Sequence, residues 1–95
     1  MTKVVVKEYR GPKRLTLTKE RTREFDQELR RVKRASPRGK ARPYGIAPDC
    51  EVMVTSATGK KTVYQLYGRS VLIDKRSGAS WQFYFGLLLL KWLQI

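Results

Sequence analysis

The chain predicts an α+β domain: an antiparallel sheet, built from an N-terminal hairpin and a C-terminal four-strand meander, with one main amphipathic helix and a short apolar C-terminal helix. Three observations carry that expectation. Valine-rich residues 3–9 read as a half-buried strand. Phe25, Leu29 and Val32 recur at helical spacing inside a charged stretch. Residues 51–85 hold β-branched and aromatic runs separated by glycine-bearing turns. The order ββαββββ(α) puts helices over one face of an antiparallel sheet.

Each element has a local cause. Residues 3–9 pair with 14–17 because Arg10-Gly11-Pro12-Lys13 supplies turn residues, proline fixing its own φ and glycine tolerating a positive one. Thr18 is placed to cap a helix, with Glu20 in the first turn where the helix dipole favours negative charge. That helix runs to about Ala35 and stops before Ser36-Pro37, since a residue preceding proline is driven out of the helical region. Phe25, Leu29 and Val32 make its core stripe, and Arg23, Gln27, Arg30 and Arg34 fall on the opposite side. Asp26 is spaced to pair with Arg30 and Glu28 with Arg31, which steadies the helix slightly.

Residues 36–48, SPRGKARPYGIAP, hold three prolines, two glycines and no periodicity, and read as a flexible basic loop within a single small basic domain spanning 1–95. Beyond it, residues 51–57, 62–67 and 70–74 form strands joined at Thr58-Gly59-Lys60 and at Gly68. Lys75-Arg76-Ser77-Gly78 leads to a last strand on which Trp81, Phe83 and Phe85 share one face, opposite Gln82 and Tyr84. Residues 87–94 suit a short buried helix whose polar edge is Lys91 and Gln94. A fifth strand is the alternative, because short apolar runs fit either period. Segment 79–95 holds five of the ten aromatics and five leucines, so it is the expected hydrophobic mass on which the rest packs.

Composition narrows the chemistry. There are 21 Lys+Arg against 8 Asp+Glu and no histidine, a formal charge of +13. Charge of that size bears on partners and solubility rather than fold. The absence of histidine removes the imidazole base, the Ser-His-Asp triad, the Cys-His pair and the His metal ligand. A single cysteine, Cys50, excludes an intramolecular disulfide and a cysteine zinc site, and without a neighbouring base it reads as a structural residue. Residues 56–62, SATGKKT, resemble a phosphate loop. However, position 54 is Val, Lys61 stands where Ser or Thr is needed, and a strand follows instead of a helix. Asp49 with Asp74-Lys75 suggests the carboxylate-plus-lysine set of metal-dependent nucleases, but position 76 is Arg where that motif wants Lys. The expectation is a non-enzymatic protein with no metal and no cofactor. With no apolar run long enough for a secretory signal, and an apolar tail too short to span a bilayer, a cytoplasmic location is expected.

The distribution of charge is the functional clue. Residues 1–43 carry fifteen basic and five acidic side chains, net +10, whereas residues 44–95 carry six and three, net +3. Arginine grips phosphate bidentately, and backbone contacts give affinity without sequence information. The candidate phosphate contacts are therefore Arg23, Arg30, Arg31, Arg34, Arg38, Lys40 and Arg42, with Tyr44 placed to stack on a base or ribose. This predicts a small module that binds nucleic acid, RNA or non-specific duplex. The alternative is a protein-interaction module of the inhibitor, immunity or adaptor type that sets its positive face on an acidic protein. Tyr64 and Tyr67, near Lys60, Lys61, Arg69, Lys75 and Arg76, offer a second surface. Three residues apart on a strand, they face opposite ways, which favours core packing. A membrane role needs the apolar tail exposed and conflicts with its use as core, while a homodimer through that C-terminal segment stays open.

Overall fold

In the computed structural model, which describes residues 2–35, 39–40 (backbone only), 47–68 and 70–93, the chain begins with the expected hairpin. β1 (Lys3–Glu8) pairs antiparallel with β2 (Arg14–Thr16), Val6 opposite Leu15, and Glu8 N–H donates to the Lys13 carbonyl at 2.9 Å to close the turn. α1 (Lys19–Arg34) starts where Thr18 Oγ1 accepts the Arg21 N–H at 3.2 Å, satisfying one of the amide donors that a helix start leaves unpaired. It ends as Ala35 turns extended, at ψ 149°. The meander follows as β4 (Cys50–Thr55), β5 (Lys61–Tyr67), β6 (Val71–Asp74) and β7 (Ala79–Gln82), and α2 (Gly86–Leu93) closes the fold.

One sheet joins the two halves. β1 lies antiparallel to β4, so the order is β2-β1-β4-β5-β6-β7, and a short β3 (Gly39–Lys40) adds to the far edge. Side chains alternate across the pleat, and register decides which share a face. Val4 opposes Val54, Val6 opposes Val52, Val52 opposes Tyr64, Leu66 opposes Leu72 and Leu72 opposes Trp81. This face is covered by both helices. Phe25 of α1 meets Phe83 and Phe85 edge-to-face at 5.6 and 6.2 Å between ring centres, and α2 buries Leu89 and Leu93 beside β1 and β2. The other face carries Lys7, Glu51, Gln65 and Ile73 in one cross-strand row, and no helix covers it among the described residues.

The α+β architecture is the expected one, and three details depart from expectation. Inside the segment read as a loop, Gly39 pairs with Ser80 and Lys40 with Ala79. An edge strand offers unpaired N–H and C=O groups, and two residues of passing chain take them up without needing any side-chain pattern. The last strand stops at Gln82, so Phe83 and Phe85 do not share it with Trp81. The Gly86 and Leu87 N–H groups bond back to the Phe83 and Tyr84 carbonyls, both at 3.1 Å, which winds the chain into α2. Residues 87–93 are helix and not strand, Gln94 lying outside the described residues, and the helix is buried on one side only. Gly86, Leu89 and Leu93 face the core, but Leu87 and Leu88 are 50% and 40% exposed. Two turns of helix against β1 and β2 bury a single stripe, and a four-leucine run necessarily overflows it. The core is also wider than the C-terminal segment. Val4, Val6, Cys50, Val52 and Leu66 are fully buried alongside Phe83 and Leu89.

Candidate nucleic-acid interface

Which cations reach solvent follows from how α1 sits on the sheet. Thr22, Phe25, Leu29 and Val32 are buried, so Arg23, Arg30 and Arg34 project from the opposite side and are exposed, and Arg31 is exposed on a flank. Arg38, Arg42 and Tyr44 lie outside the described residues. Of Lys40 only the backbone is described, and it joins the sheet edge at β7.

The helix cations fall into three groups. Arg30 Nε lies 3.0 Å from Asp26 Oδ2, and Arg31 Nε donates to both Glu28 carboxylate oxygens at 3.2 Å. The hydrogen-bonded Arg31 guanidinium holds the Glu28 carboxyl below its usual range. Arg21 and Lys33 lie against aromatic rings instead. The Arg21 guanidinium sits 4.4 Å from the Trp92 ring centre, while the Lys33 ammonium donates to the Tyr64 hydroxyl and lies 4.9 and 5.5 Å from the Tyr64 and Trp81 rings. A cation over an aromatic face gains about 0.5–1 kcal/mol at exposed sites and more when desolvated, so these two fasten the helix to the core. Lys19, Arg23 and Arg34 make no ion pair among the described residues. Lys19 and Arg23 line a hollow of about 270 Å³ with Thr2, Thr22 and Asp26.

A second group of cations lies at the strand ends. Lys60, Lys61, Lys75 and Arg76 line a groove of about 300 Å³ with Thr62, Val63 and Asp74. Two turns build it. In the β4–β5 turn Ser56 N–H bonds to the Lys60 carbonyl at 2.9 Å, and Gly59 takes φ 87°, a conformation that favours glycine. In the β6–β7 turn Asp74 Oδ1 accepts the Arg76 and Ser77 N–H groups at 2.9 and 3.4 Å, which occupies that carboxylate with the backbone. Lys75 Nζ stands 3.5 Å from Glu51 Oε2, and Lys60, Lys61 and Arg76 make no ion pair among the described residues.

The sequence had attached these cations to Tyr64 and Tyr67. The structure buries Tyr64 under Lys33, and half-buried Tyr67 donates its hydroxyl to Gln65 Oε1 at 3.2 Å. The signal for the groove was present in the pattern. Alternate turns of a meander emerge at the same end of the sheet, and the turns after β4 and β6 both carry adjacent cations.

Other chemistry finds little support. Cys50 is buried and its thiol is pushed up to about 12, chiefly by burial and then by the charges of Asp49 and Glu51, so it is not an ionised nucleophile at neutral pH. Among the described residues no three His, Cys, Asp or Glu side chains are grouped to hold a metal, and no helix is long and apolar enough to cross a membrane. No protein-family model, no curated protein and no solved structure matches the chain.

Proposed function

We propose that the protein is a non-enzymatic module that binds the phosphate backbone of a nucleic acid through the outer face of α1 and the basic chain that follows it. The observation that carries this reading is the arginine ridge: Arg23, Arg30 and Arg34 are exposed together on the side of α1 turned away from the sheet, in the half of the chain with net charge +10. Arg23 and Arg34 make the first contacts, having no acidic partner among the described residues. Arg30 exchanges Asp26 for phosphate at small cost, because an exposed helix pair is worth only about 0.3–0.5 kcal/mol. Arg21 and Lys33 stay with the core. Contacts of this kind position a backbone and read no bases, so affinity depends on salt much more than on sequence.

The test is fluorescence anisotropy of labelled single-stranded RNA, duplex RNA and duplex DNA titrated across salt concentrations. The expected result is a steep linear fall of log affinity with log salt. The Arg23→Gln/Arg34→Gln variant makes that slope shallower while its thermal unfolding stays at the wild-type midpoint. Equal affinity and slope in that variant refute the reading. Absence of binding to all three probes at low salt refutes it too, and turns the charge toward recognition of an acidic protein.

A further inference from the structure

The cations of the two halves meet at one end of the sheet. Lys3 at the start of β1 is opposite Thr55, and Thr55 is opposite Lys61, so the three form one cross-strand row. On the next strand the Lys75 N–H bonds to the Val63 carbonyl at 3.1 Å, which sets Lys75 and Arg76 beside the start of β5. On the other side Thr2, next to Lys3 in the chain, lines the hollow that holds Lys19 and Arg23. Four neighbouring strands at a spacing of about 4.8 Å spread this row over about 14 Å. The chain thus carries cations from α1, β1, β5 and the β6–β7 turn to the same end.

The geometry points to the groove at the ends of β5 and β6 as a phosphate subsite, in which Lys60, Lys61 and Arg76 hold one oxyanion group. In the setting of the proposed function, on which this part rests, that group is a backbone phosphate of a nucleic-acid strand running from Arg23 past Lys3 to Arg76.

Three features fit. Four cations and one carboxylate line a space of about 300 Å³, and the carboxylate of Asp74 is already bonded to two backbone N–H groups. Like charges on neighbouring strands repel, and an anion seated between them relieves that repulsion. The ladder also turns a backbone N–H, together with its carbonyl, toward the groove. The Val63 carbonyl faces β6, so by two-residue alternation the Lys61 backbone faces the same side, past the last β6 pair at Asp74. At the lower bound of ligand-pocket size, roughly 300–1,000 Å³, the groove suits a phosphate group better than a larger ligand.

Two probes test it separately: a labelled single-stranded RNA, and inorganic tripolyphosphate followed by thermal shift. The variants are Lys61→Gln/Arg76→Gln in the groove and Arg23→Gln/Arg34→Gln on α1, the first leaving the Arg76 backbone turn intact. For RNA, the groove variant is expected to flatten the salt slope by about 0.7, the value for one phosphate no longer neutralised on a single strand. For tripolyphosphate, the wild type and the α1 variant gain melting temperature and the groove variant does not. RNA binding with an unchanged slope in the groove variant, alongside loss in the α1 variant, overturns the subsite and leaves the proposed function standing. RNA binding by neither wild type nor variants overturns the proposed function. In that case a tripolyphosphate shift that needs Lys61 and Arg76 upholds the groove as a site for free polyphosphate, and an equal shift in all proteins overturns it.

Discussion

Replacing Lys33 by Met and Tyr64 by Phe, singly and together, separates a cation that holds the fold from those open to a ligand. The Lys33 ammonium donates to the Tyr64 hydroxyl and stands 4.9 Å from that ring and 5.5 Å from Trp81. Tyr64 is 2% exposed, and its hydroxyl has no other hydrogen-bond partner among the described residues. Lys33→Met keeps an apolar stem and removes the charge. It leaves the hydroxyl unpaired, at about 1–3 kcal/mol, and forfeits about 0.5–1 kcal/mol of cation–ring attraction. The expected loss is about 2 kcal/mol. Tyr64→Phe keeps the ring and its attraction for the ammonium and costs about 1 kcal/mol for the lost bond. With both changes no orphan hydroxyl remains, so the double variant is about as stable as Lys33→Met alone and the coupling is about 1 kcal/mol. Urea unfolding followed by far-UV circular dichroism reads these values from shifted midpoints at constant m. Against a total stability of about 5–15 kcal/mol the losses are large enough to measure. Arg34→Met, one residue on, exposed and without an ion pair among the described residues, serves as the control, expected within about 0.5 kcal/mol of wild type. Losses from Lys33 and Tyr64 that add to within about 0.3 kcal/mol refute the contact.

Other perturbations test other parts of the fold. Phe25→Ala empties a fully buried site between Phe83 and Phe85 and is expected to cost about 3–5 kcal/mol in the same urea assay, whereas Phe25→Leu loses much less. Gly78→Ala forces an alanine to φ 76° in the β6–β7 turn and is expected to lower stability by about 1–2 kcal/mol, read as a lower melting temperature. The buried Cys50 thiol is expected to resist a maleimide or disulfide reagent in the native protein at neutral pH and to react on unfolding. Its folded pKa of about 12 exceeds the ordinary thiol value of 9.0, so the neutral thiol contributes stability that is fully present below pH 9 and lost as pH rises toward 12. The loss is at most about 1.4 kcal/mol per pH unit, and urea midpoints at two alkaline pH values should fall less steeply in Cys50→Ala.

How much of this was legible in the sequence varies by element, and the reasons are physical. Thr18, Glu20 and Pro37 bracket α1 by local chemistry, and the period of Phe25, Leu29 and Val32 fixes its inner face, so helix and ridge were readable residue by residue. Helical period left Arg21 and Lys33 off the ridge but could not say what they meet, because Trp92, Tyr64 and Trp81 arrive from distant parts of the chain. β3 was illegible for a different reason, since a two-residue strand rests on backbone bonds to an edge and carries no side-chain period.

By itself the sequence determined the α+β class, the bounds of α1, the turns at Gly59 and Gly78, and the excess of charge in its first half, because all of these rest on contacts or propensities within a few residues. Only the tertiary structure decided the placement of β1 against β4, which carries Lys3 into one row with Lys61. It also decided the burial of Tyr64 and the exposure of Leu87 and Leu88. Strand order and register are set by which faces exclude water together across the whole sheet, a sum over distant residues that no local window contains.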